Sequence, residues 1–76
     1  MLFTAKITSS SSVEIVELEG KRFFSSVENA VAAAEAQTGL HFAKSASAFI
    51  EGREYRAAGL LLTVEEYYIP SVEEIA

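Results

Sequence analysis

The chain offers nine serines and one histidine, His41, and contains neither cysteine nor aspartate. A Ser–His pair is the one nucleophilic combination these residue types allow. A triad further needs a carboxylate to orient the histidine and an oxyanion hole beside the serine. No Gly-x-Ser-x-Gly turn occurs, and the serines gather at 9–12 and 25–26, where hydroxyls serve turns and helix caps. His41 follows Gly39 at the expected end of a helix, so it reads as facing solvent or capping the last carbonyls. Metal chemistry is poorer still, because one histidine without cysteine or aspartate builds no typical zinc site. Glu65-Glu66 and Glu73-Glu74 set carboxylates side by side, but neighbours on a strand point to opposite faces. Glutamates acting together as acid and base need a cleft that a small domain with one helix rarely encloses. The four glycines, Gly20, Gly39, Gly52 and Gly59, form no phosphate-binding loop. The chain therefore reads as a non-enzyme with no catalytic, cofactor-binding or metal-binding residues.

Binding chemistry is better represented. Lys21-Arg22-Phe23-Phe24 sets two cations beside two aromatics, and Arg53 and Arg56 flank Tyr55. Such interleaving suits stacking on single-stranded nucleic acid. If the turns at 19–22 and 51–54 share one end of a sheet, Lys21, Arg22, Arg53 and Arg56 form a single basic patch. The competing expectation buries Phe23 and Phe24 under the helix and pairs the cations with Glu19, Glu51 and Glu54. Charge favours the second, since eleven glutamates against three lysines and three arginines leave a net −5, which opposes a phosphate backbone.

The other stretch is 57–76, which holds four glutamates and no cation, together with Leu60, Leu61, Leu62, Tyr67, Tyr68 and Ile69. An apolar centre edged by one sign of charge suits a partner protein with a basic surface. Leu61, Glu65, Glu66, Tyr67 and Tyr68 are the candidate partner-binding residues. Leu60-Leu61-Leu62 also places large apolar groups on both sides of one strand, where one helix cannot cover both. A homodimer, by sheet-face packing or edge pairing, is therefore expected.

These residues need elements to hold them. Residues 2–8 alternate as a half-buried strand, and Ser9–Ser12 reads as a hairpin loop. Val13–Glu19 is the return strand, with a slip between Ile15 and Val16 that indicates a bulge or burial on both faces. Ser25 and Glu28 have the spacing of a capping box. Val27, Ala30, Val31 and Ala34 follow as one apolar stripe at helical spacing, and Gly39 closes the helix. Ser45–Glu51 reads as a third strand, and Tyr55–Ile69 as one strand or two, broken near Gly59 or Glu65-Glu66. Pro70 ends it, and 71–74 offers a last helical turn.

The resulting order is β-β-α-β-β, an α+β fold with a small antiparallel sheet and one Ala-rich helix on one face. At 76 residues, half of them hydrophobic, the chain reads as a single folded domain, 1–76, with a thin core. No apolar run approaches the ~20 residues of a membrane span, and the first residues do not resemble a secretory signal. A cytoplasmic protein is expected, free of disulfides. The same element order occurs in many small proteins, some phage-encoded inhibitors of host defence among them; this likeness in size and fold assigns no residues. The reading is a small acidic protein-binding module, an inhibitor or adaptor. The alternative is a nucleic-acid module built on the basic turns.

Overall fold

Alternation makes Leu2–Thr8 a strand, β1, with Ala5 and Ile7 buried on one side and Thr4, Lys6 and Thr8 half-covered on the other. The computed structural model describes residues 1–46, 50 and 52–67. After β1 the serines close a hairpin. Ser9 N–H donates to Ser12 O at 2.9 Å, and Ser9 Oγ accepts the Ser12 N–H at 3.1 Å. The return strand β2 is Val13–Ile15, shorter than the expected run to Glu19. The Ile15-Val16 adjacency is no bulge, because the alternation simply continues. Val13 and Ile15 lie exposed on the outer side, while Val16 is fully buried and donates its N–H to Ala5 O at 2.9 Å.

Leu18 and Lys21 then exchange two backbone hydrogen bonds across Glu19-Gly20. Both turn residues have positive φ, 54° and 79°, the type I′ pattern that matches hairpin twist. Phe24 returns to β1 and exchanges hydrogen bonds with Phe3 at 2.8 and 2.9 Å. Only Phe24 enters the core. Phe23, expected beside it under the helix, tilts against Tyr67 with ring centroids 5.2 Å apart.

Helix α1 is Val27–Thr38, capped by Ser26 rather than Ser25: Ser26 Oγ accepts the Asn29 N–H at 3.0 Å. Ser25 Oγ accepts from Asn29 Nδ2 instead. With the cap at Ser26, Asn29 occupies the position a capping-box glutamate needs, and Glu28 is left as a first-turn acid favoured by the helix dipole. Ala30, Ala33 and Ala34 are buried, and Val27 and Val31 pack partly against the core. Ala33 widens the expected stripe. Gly39 is left-handed and donates to Glu35 O, after which Glu35 Oε2 accepts the Phe42 N–H at 2.9 Å and Phe42 buries.

A short strand precedes the expected one at 45–51. β3 is Ala43–Lys44, with Ser45 still donating to Glu54 O, while Ser47, Ala48, Phe49 and Glu51 lie outside the described residues. The turn before Glu54 forms, with Arg53 donating to Ile50 O. The long second-half strand breaks at Ala58-Gly59 into β4, Glu54–Ala57, and β5, Leu60–Tyr67. Tyr68, Ile69, Pro70 and the expected turn at 71–74 lie outside the described residues.

The five strands form one antiparallel sheet in the order β2-β1-β5-β4-β3, and α1 packs across β1 and β5. The fold is α+β, as the sequence indicates, with one more strand than its element count. Phe24, Leu62, Val16 and Val64 are the largest fully buried side chains. The β2 edge is closed by a side chain. Gln37 Oε1 accepts the Glu17 N–H at 2.9 Å, and its Nε2 donates to Ile15 O at 3.3 Å. One amide thus makes both hydrogen bonds that a further strand would make there, which protects the edge from stray pairing.

Candidate functional site

Register and alternation divide the sheet cleanly. Ala5, Ile7, Leu62 and Val64 face the helix and are buried. The opposite, open face carries residues in rows. Val13, Thr8, Leu61 and Arg56 lie level with one another, as do Ile15, Lys6, Thr63 and Glu54; Thr4 pairs with Glu65, and Leu2 with Tyr67. Phe23 closes the last row against the Tyr67 ring, and Ile50 lines a shallow depression with Lys6, Thr8, Leu61 and Thr63.

This face holds the unusual surface of the molecule. Among the described residues, six large hydrophobic side chains are exposed: Met1, Val13, Ile15, Leu18, Ile50 and Tyr67. Four of them, Val13, Ile15, Ile50 and Tyr67, belong to the open face. Val13 and Ile15 lie on its β2 edge, Ile50 beside the Lys6–Glu65 ion pair, 3.5 Å, and Tyr67 at the Leu2 end.

Of the expected partner-binding residues, Leu61, Glu65 and Tyr67 come together on this face. Glu66 does not. Its neighbours on β5 force it to the other side, where it binds Arg53 at 2.6 Å. Tyr68 lies outside the described residues. Sequence reasoning overlooked Leu2, Val13, Ile15, Phe23 and Ile50. For Phe23 a signal existed: two consecutive aromatics on an extended chain must point to opposite sides.

The basic turns are not brought together. Lys21 follows the turn on the β2 side of β1, whereas Arg53 leads into β4, so β1 and β5 stand between them. Arg53 is already engaged, its guanidinium 5.1 Å above the Phe3 ring and bound to Glu66; among the described residues Glu19 and Glu54 make no ion pair, and Glu51 lies outside them. Arg56 projects from the open face beside Leu61. Among the described residues, Lys21, Arg22 and Arg56 make no ion pair.

His41 and four of the nine serines have structural contacts. His41 Nδ1 lies 2.9 Å from Glu35 Oε2, with its side chain 88% exposed, and the same carboxylate oxygen anchors the Phe42 N–H. Glu35 therefore fixes the exit of the helix. Hydroxyls of Ser9, Ser12, Ser25 and Ser26 are spent on the hairpin and the cap. Among the described residues no three His, Cys, Asp or Glu side chains gather as a metal site, and no helix is long and apolar enough to cross a membrane. No family model, characterised protein or solved structure matches the chain, so the open face rests on its own geometry.

Proposed function

We propose that this chain is a small acidic protein-binding module, an inhibitor or adaptor that works by stoichiometric docking of its open sheet face on another protein. The observation that carries the reading is the concentration of exposed apolar side chains there: Val13, Ile15, Ile50 and Tyr67 all lie on the side the helix leaves bare. Charge indicates the kind of partner. A net −5 steers a basic surface towards the molecule within about a Debye length, and the apolar side chains then hold it. Such a protein acts by occupying a surface and needs no catalytic group of its own.

The test uses the immobilised chain and a lysate of its source cells. A protein retained by the wild type and by Ala32→Glu, but lost from Leu61→Glu, is the expected partner. With that protein isolated, Glu65→Lys and Glu66→Lys should each slow association by roughly threefold to tenfold at low salt, because steering depends on net charge and not on the face. Tyr67→Ala should speed dissociation about tenfold, as loss of an aromatic anchor does. Glu65→Lys should hardly move the melting temperature, whereas Glu66→Lys and Tyr67→Ala should lower it modestly, through the lost Arg53 ion pair and Phe23 contact, and leave the chain folded. Binding indifferent to Leu61→Glu and Tyr67→Ala would end the reading. A salt-sensitive shift with an oligonucleotide would transfer attention to Lys21 and Arg22.

A further inference from the structure

We infer that the free protein closes its open sheet face against a second copy of itself, so that self-association and partner docking compete for one surface. The competition rests on the reading of that face as the docking surface; the self-association rests on the charges and dimensions of the face. Lys6 and Arg56 are balanced there by Glu54 and Glu65, so the described residues of the face are neutral. The described residues outside it carry a net −2, six glutamates against Lys21, Arg22, Lys44 and Arg53. Two acidic copies repel each other on other approaches and least on this one.

The arrangement of these charges selects the geometry. Arg56 is level with Thr8, Lys6 and Glu54 share the next row, and Glu65 is level with Thr4. Positive groups therefore lie towards the Thr8 end of β1 and negative groups towards the Leu2 end. A two-fold axis in the interface plane, running across the strands, sets the positive end of one copy over the negative end of the other. It also brings Val13, Ile15 and Leu61 over Leu2, Phe23 and Tyr67. This contact is isologous and closes as a dimer.

Area sets the strength. The 24 residues of the five strands, each covering ~4.8 Å by ~3.3 Å, give a footprint of roughly 400 Å². That is below the ~800 Å² per partner of a standard interface. A weak dimer follows, with Kd between about 10 µM and 1 mM, which a tighter partner displaces.

Sedimentation equilibrium and amide NMR spectra of the full chain, from about 10 µM to 1 mM, test this directly. The mass should rise from 8.2 kDa towards twice that value. Concentration-dependent shifts should fall on Thr4, Leu61, Thr63 and Tyr67 and leave Glu28, Ala32 and Ala36 unchanged. Leu61→Glu and Tyr67→Glu should each weaken the dimer at least about tenfold, while Ala32→Glu should not. A strict monomer at the highest concentration overturns the inference and leaves partner docking on this face intact. A dimer indifferent to both face variants, or shifts confined to the helix or the β2 edge, overturns it too. A dimer lost in Leu61→Glu beside partner capture that survives the same change upholds self-association and defeats the docking reading.

Discussion

Ala30→Glu and Ala34→Glu should leave the chain largely unfolded at room temperature, while Ala32→Glu should melt close to the wild type. Ala30 and Ala34 are both 0% exposed, whereas Ala32, between them in sequence, faces solvent. The alanine stripe lets α1 lie close on β1 and β5, and that closeness leaves no space for a longer side chain. A glutamate there must either force helix and sheet apart or bury a carboxylate without a partner. The second alone costs several kcal/mol. A domain of 76 residues has only about 4–11 kcal/mol in reserve. Circular dichroism melts decide the matter, and similar midpoints for Ala30→Glu and Ala32→Glu would show the helix face to be misassigned.

The adjacent phenylalanines should behave in opposite ways. Phe24→Ala should cost about 3–5 kcal/mol, the range for emptying a fully buried aromatic site, because Phe24 is 0% exposed and its backbone is locked to Phe3. Phe23→Ala should cost no more than about 1.5 kcal/mol, the worth of an aromatic pair at the surface, since Phe23 is half-exposed against Tyr67. Denaturant unfolding of the two variants gives both values. Equal losses would mean that both rings share the core and that the open face lacks its aromatic end.

That contrast shows where the sequence was legible. Period-2 alternation located β1, the serine run located its hairpin, and the 3.6-residue stripe located α1 with its glycine stop. Boundaries were less legible where two local chemistries compete. Ser25 and Ser26 are both good caps, and only the Asn29 N–H, which Ser26 Oγ accepts, decides between them. Ile15 and Val16 look like a slip in alternation because both sides of the strand carry apolar groups, one in the core and one on the open face. The site was legible in part for the same reason. Leu61, Glu65 and Tyr67 could be grouped from one strand, but their neighbours come from β1, β2 and the Phe23 segment. Pairing across the sheet, which no local window contains, brings them together. Glu66 was misplaced because adjacency in sequence was taken for adjacency on a surface.

The central claim is that the open sheet face is where other protein docks. A chain without cysteine allows a direct footprint: one cysteine at the middle of that face, Thr63→Cys, and one on the outer side of the helix, Ala32→Cys. Each is alkylated alone and with the captured partner in excess. The account predicts that the partner strongly slows modification at position 63 and leaves position 32 at its free rate. Protection at position 32 with none at position 63 would contradict it.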